Sequence, residues 1–243
     1  MISNALTAPC SSLPVDMRLK LLELTSGKSS VNKKDLLELS QIDLQPKLAA
    51  LKRSGVVTFL DGVVSMNDRQ RVMLAEQLIH SGADPRKVSR FLAWQEFENF
   101  AEDTLAENGF STRRHFVFSL TGVRREIDIF AWNDTLMLAV DCKHWLRGFS
   151  PGRTKTVAQA QLERVASLAR MPELLCRLKI PRPEGRSIIP VILTLGELRE
   201  RLRDGVPIVP VSKLLNFIYG LSPVDSSVER VRVVRSAVQS RLV

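Results

Sequence analysis

Four ionisable side chains stand where apolar strands would otherwise run. The segments Arg125-Glu126-Ile127-Asp128-Ile129-Phe130 and Leu138-Ala139-Val140-Asp141-Cys142-Lys143 are both β-rich, and a short turn around Asn133-Asp134 separates them. With a turn of two or four residues, antiparallel pairing sets Asp128 opposite Ala139 and Glu126 opposite Asp141. Opposed residues share a face of the sheet, and successive residues alternate. Glu126, Asp128, Asp141 and Lys143 then project from one face. Ile127, Ile129, Leu138, Val140 and Cys142 project from the other as core. A three-residue turn with a bulge would change this register. Charges inside apolar strands are costly unless they are paired or bind a metal. One reading is therefore a salt-bridge ladder on a half-exposed sheet. The other is a divalent-cation site. Carboxylate oxygens suit a hard cation such as Mg²⁺, which activates water and neutralises phosphate charge. An ammonium beside it, at Lys143, would orient the nucleophile or stabilise the transition state.

The elements that must position these groups follow from periodicity. Asp84 with Pro85 opens a long helix expected to reach Asn108 and to close at Gly109. Strands are expected at 115–120, 125–132 and 135–143. A loop rich in Gly, Pro and basic residues, 147–155, leads into a helix from about Thr156 to Arg170. A short helix at 172–179, a buried strand at 187–195, a helix at 197–203, a strand at 206–211 and a helix at 212–219 complete an α/β core with a mixed sheet. Upstream, helices are expected at 15–24, 33–40 and 46–54. Asp61-Gly62 then joins two β-rich segments, 56–60 and 63–66, as a two-residue hairpin. Three helices and a hairpin make a winged helix-turn-helix. Its third helix exposes Lys47, Lys52 and Arg53 while Leu48 and Leu51 face inward. A further helix spans 67–80. The expected division is a winged-helix domain with linker helix at 1–82, a second domain at 83–222, and a basic tail at 223–243 with Arg230, Arg232, Arg235 and Arg241.

Composition narrows the function class. The 243 residues are 44% hydrophobic and 25% charged, which is ordinary globular composition. The net charge of +9 suits nucleic acid or anionic lipid as a partner. Residues 91–170 are charge-neutral between two basic flanks. No apolar run approaches the roughly 20 residues of a membrane helix, and the first 14 residues lack the features of a secretory signal. Cys10, Cys142 and Cys176 form no CxxC and suggest no zinc ribbon or disulfide framework. A reducing cytoplasmic setting is expected, with Cys142 a small buried hydrophobe. Gly27-Lys28-Ser29 is not a phosphate loop, because Leu22 stands where a Walker A glycine would.

The ordered set of a Phe97-Glu98 helix ending at Gly109-Phe110, Glu126-Ile127-Asp128, Asp141-Cys142-Lys143 and a Gln-bearing helix beyond resembles the PD-(D/E)XK nuclease superfamily, in its Mrr-type restriction endonuclease branch. The resemblance covers about residues 91–220. It implies a restriction-endonuclease-like α/β core, a mixed sheet flanked by helices. Asp128, Asp141 and Glu98 would be metal ligands, with Glu102 second and Glu96 third in line for the helix acid. Lys143 would be the catalytic ammonium. Gln161 would be a further site residue, with Gln159 not distinguished from it. Asp141 stands where the family more often has Glu, which shortens the reach to a metal. The implied cofactor is Mg²⁺, replaceable by Mn²⁺. The implied partner is DNA, met by Lys47, Lys52 and Arg53, with no membrane and with a homodimer allowed. The implied activity is metal-dependent endonucleolytic hydrolysis of phosphodiesters. The competing reading is a winged-helix DNA-binding or regulatory protein with a degenerate nuclease fold.

Overall fold

A computed structural model describes residues 13–28, 30–32, 34, 49, 51–53, 55–143, 151–222 and 225–235. These fall into two compact units, which divide between Phe100 and Ala101. None of the described helices is long and apolar enough to cross a membrane.

The first unit opens with α1 (Val15–Leu24), which buries Leu21 and Leu22. A three-stranded antiparallel sheet follows, in the order β1 (Ser30–Asn32), β3 (Val63–Ser65), β2 (Thr58–Leu60). Leu60 pairs with Val63, so Asp61-Gly62 is the whole loop. Both loop residues have positive φ, 49° and 77°, the geometry a two-residue hairpin turn requires. Residues 51–53 are helical, with Leu51 buried and Lys52 and Arg53 exposed. Lys47 and most of the expected second and third helices lie outside the described residues. Helix α2 (Asp68–His80) begins with a capping box between Asn67 and Gln70.

The long helix expected from Asp84 is broken in two. Asp84 caps α3, which spans only Pro85–Ser89, and α4 runs Trp94–Glu107. The break has a visible cause in Arg71, which is buried. Its guanidinium donates to the carbonyls of Leu22 and Phe91 and pairs with Glu96 at 2.5 Å. Glu96 in turn accepts the Ala93 N–H at 2.6 Å, starting a new helix there.

The second unit contains the seven-stranded mixed sheet. Six strands run in the order β4 (Ser111–Leu120), β5 (Val123–Trp132), β6 (Met137–Lys143), β7 (Ser187–Thr194), β9 (Val206–Pro210), β8 (Leu202–Arg203). The β6–β7 and β7–β9 pairs are parallel and the others are antiparallel. Helix α5 (Pro151–Ala169) starts earlier than expected. It presents Thr154, Ala158, Gln161, Val165 and Leu168 as a buried stripe at helical spacing. Val165 and Leu168 pack in one apolar cluster with Phe130, Ala139 and Ile188 of the sheet.

The helix expected at 197–203 does not form. Asp204 and Gly205 both have positive φ, 50° and 77°, and turn β8 back on β9. A Cβ at Gly205 would stand 2.9 Å from that of Glu229, whose N–H donates to the Gly205 carbonyl. Helices α6 (Pro172–Arg177) and α7 (Leu214–Gly220) flank the sheet, α7 after a 3₁₀ turn at Val211–Lys213. Within the expected tail, β10 (Val231–Arg232) joins the start of β7, and Val233 is buried in the core cluster. Residues 225–235 therefore complete the core instead of trailing from it.

Candidate active site

The charged face begins at a four-residue loop. Asn133 Oδ1 accepts the N–H groups of Thr135 and Leu136 at 3.0 and 2.8 Å, and Asn133 N–H donates to the Leu136 carbonyl. Trp132 then pairs with Met137, and the ladder runs up to Ile129 opposite Val140. The register is two residues away from the expected one, because β6 starts at Met137 and not at Thr135. A shift of two keeps parity but changes partners. It carries Asp128 to the level of Asp141 instead of Ala139.

At that level the ladder stops and a side chain takes over. Cys142 N–H donates to Asp128 Oδ2 at 2.7 Å, so the carboxylate substitutes for a strand carbonyl. Cys142 itself is buried. On the other side of β5, His115 occupies the matching place in β4 with φ 47°, rare for a residue other than glycine. Phe116 is paired with Ile127, yet its ring meets that of Phe130 at 5.6 Å. Residues three apart on a regular strand lie on opposite faces, so the two strands roll at the His115–Asp128 level. Strict alternation across Asp128 therefore fails. Ile127 joins the cluster of Phe130 and Ala139, and Glu126 does not join Asp141 and Lys143. Glu126 pairs with His115 Nδ1 at 3.1 Å and lies 3.9 Å from Arg124.

Asp141 is 2% exposed and is held by two cations. Lys143 Nζ lies 2.8 Å from Oδ2, and Arg164 Nη2 donates to Oδ1 at 2.8 Å. Arg164 Nε donates to Gln161 Oε1 at 2.9 Å, and Gln161 Nε2 donates to the Ala139 carbonyl at 2.7 Å. Ala139 lies mid-strand, paired with Phe130 of β5 and Pro190 of β7. Gln161 is buried and Gln159 exposed, so the helix stripe separates the two. Arg164 is a site residue that the sequence reading missed. Its signal was its place three residues after Gln161, on the same helix face.

The structure thus brings together Asp141, Lys143, Gln161 and Arg164, and ties Asp128 to the next backbone N–H, that of Cys142. Glu98 belongs to the first unit, where it is 1% exposed and accepts the Trp94 indole N–H. Its neighbours on α4 are engaged otherwise: Glu96 with Arg71, and Glu102 with Thr112 and Arg114 at 2.9 and 2.8 Å.

Among the described residues, no three His, Cys, Asp or Glu side chains are grouped to hold a metal. Mg²⁺ characteristically takes one or two carboxylates and completes its shell with water and phosphate oxygens. Asp128 and Asp141, on adjacent strands, would be the carboxylates of such a set. Asp141 Oδ2 is buried and accepts no hydrogen bond among the described residues. The residues present fit a hard divalent cation on that basis.

A protein of Archaeoglobus fulgidus, itself uncharacterized, is 31% identical over 130 residues, covering 54% of this chain and 92% of the relative. The chain belongs to that protein's family. No protein-family model matches the chain. A solved structure, protein VC1899 from Vibrio cholerae, aligns with 14% identity and a TM-score of 0.36 over 85% of this chain. The chain spans 50% of the length of that solved protein.

Proposed function

We propose that this protein is a divalent-cation-dependent DNA endonuclease of the restriction-endonuclease-like type. The observation that supports it is the grouping of Asp141 and Lys143 with Gln161 and Arg164 of α5, next to the point where the β5–β6 ladder parts and Asp128 accepts the Cys142 N–H. In this reading Asp128 and Asp141 hold the cation. Bound Mg²⁺, or Mn²⁺ in its place, would lower the pKa of a water and neutralise phosphate charge. Hydrolysis adds the oxygen of water to phosphorus and breaks one P–O ester bond. Lys143 stabilises the charge that builds on the phosphoryl oxygens. Gln161 holds β6 at the right height by its bond to the Ala139 carbonyl.

The first unit serves as the DNA-docking module, a winged helix whose wing is the Asp61-Gly62 hairpin. Lys47, Lys52 and Arg53 meet phosphates, which gives affinity without sequence information. The basic balance of the chain, +9, suits such a partner.

The experiment is a supercoiled-plasmid assay with Mg²⁺, Mn²⁺ or EDTA, on wild type and Lys143→Ala. Nicking that needs the metal and is lost in the variant supports the reading. Tight DNA binding with no nicking under either metal would leave a DNA-binding protein with a nuclease-like fold and would end the nuclease proposal.

A further inference from the structure

We infer that the two oxygens of Asp141 have different tasks. Arg164 is a positioning residue that locks Oδ1, while Lys143 is parked on Oδ2, the oxygen a divalent cation takes, and leaves when the cation arrives. This rests on the metal site proposed above.

The asymmetry is in the bonding. On the Oδ1 side, each rotor is fixed in series. The Ala139 carbonyl fixes the Gln161 amide, at 2.7 Å, and the Gln161 amide oxygen fixes Arg164 Nε, at 2.9 Å. The guanidinium then presents Nη2 to Oδ1 at 2.8 Å. A planar guanidinium held at Nε has little freedom left for the rest of its fork. On the Oδ2 side, Lys143 Nζ approaches to 2.8 Å as an ion pair, but Oδ2 receives no aligned hydrogen bond among the described residues. Lys143 is the last residue of β6, two residues from Asp141, and its side chain is 23% exposed. An ammonium on a flexible four-carbon stem is the exchangeable partner of the two.

The exchange links two events. A doubly charged cation at Oδ2 outcompetes a single ammonium for the same oxygen and repels it. The released ammonium is then available for the phosphate. Without a cation, Lys143 neutralises Asp141. With one, it changes partner. Arg164 keeps the carboxylate from rotating throughout.

The test measures Mn²⁺ binding to the full-length, DNA-free protein by the loss of the free-ion electron paramagnetic resonance signal. Wild type, Lys143→Met and Arg164→Met are compared, with circular dichroism as the folding control. Lys143→Met removes the competitor and should lower the Kd about five-fold, the worth of one partly exposed ion pair. Arg164→Met removes the lock and should raise the Kd by roughly 10- to 100-fold, as loss of a ligand's own hydrogen-bond partner does. Opposite signs are the required result. If both variants bind Mn²⁺ more tightly, the two cations are only competing charges and the inference is wrong. It is equally wrong if Lys143→Met gains nothing, or if neither wild type nor Lys143→Met binds Mn²⁺. Should Arg164→Met not fold, Arg164→Gln replaces it with the same loss expected. Opposite signs together with no plasmid cleavage would uphold this inference and overturn the nuclease reading alone.

Discussion

Asp128 has two tasks that substitution can separate. Its Oδ2 closes the sheet by accepting the Cys142 N–H at 2.7 Å, and its charge serves the proposed cation. Asp128→Asn keeps an acceptor at the same place and removes the charge. The bond drops from a charge-assisted to a neutral one, a cost of about 1 kcal/mol. Asp128→Ala takes that acceptor from the Cys142 N–H in a buried strand, at a cost of about 2 kcal/mol. For a chain of this size each kcal/mol moves Tm by roughly 2–4 °C. The Asn variant should then melt about 2–4 °C below wild type and the Ala variant about 4–8 °C below. Amide exchange at Cys142 should stay slow in the Asn variant and quicken in the Ala variant. Plasmid nicking and Mg²⁺-dependent stabilisation should be lost in both, because neither retains the second carboxylate. Calorimetry, amide exchange and the plasmid assay on one set of preparations give all the readouts. Equal melting of the Asn and Ala variants would refute the mending role. Wild-type nicking in the Asn variant would refute the metal role.

The remaining expectations are separate. Gln161→Leu removes the side-chain donor to the Ala139 carbonyl and the acceptor of Arg164 Nε, so stability should fall by roughly 1–3 kcal/mol, while Gln159→Leu at its exposed position should leave thermal unfolding unchanged. Alanine at Lys47, Lys52 and Arg53 together should lower the salt slope of duplex binding by about 3 units, near one per phosphate contact, and an unchanged slope would take this helix out of the interface. Glu197 accepts from Lys213 at 2.8 Å and from Arg201, and the Lys213 bond above all holds its carboxyl below the usual 4.5. Its folded pKa lies under its unfolded one, so the stabilisation is complete above about pH 4.5 and fades as pH falls through the lowered value; nuclear magnetic resonance titration of Lys213→Ala should move the midpoint up, and an unmoved midpoint would contradict the assignment.

The sequence was most legible where local chemistry decides the outcome. Asp61-Gly62 forms the hairpin its type predicts. The same pair at 204–205 went unread because Leu198 and Leu202 repeat at helical spacing and disguise the turn. What opposes that helix is tertiary: Glu197 reaches Lys213, and the Ile208 N–H reaches the Arg201 carbonyl. Gln159 and Gln161 were not distinguished in the sequence, and it is the burial of one helix face of α5 that separates them. The parity of β5 against β6 was legible, but the exact partner was not, because it depends on where the loop hands over to the strand. The roll at His115 and Asp128 has no local signal at all. A left-handed histidine inside a strand is imposed by its surroundings, and propensity cannot announce it.

Since the Asp128 carboxylate repairs a gap in the backbone ladder, its persistence in a descendant would certify a folded sheet and say little about chemistry. A descendant with Asn there would keep the sheet and forfeit the charge. One with Leu would have to find another acceptor for the N–H of residue 142, by bending β6 or admitting a water. The Lys143 ammonium stands outside that ladder, beside a buried acid that Arg164 also engages, so its loss would spare the strand pairing at Asp128. Among relatives of this chain, then, the lysine is the better gauge of the proposed activity, and the strand aspartate is the poor one.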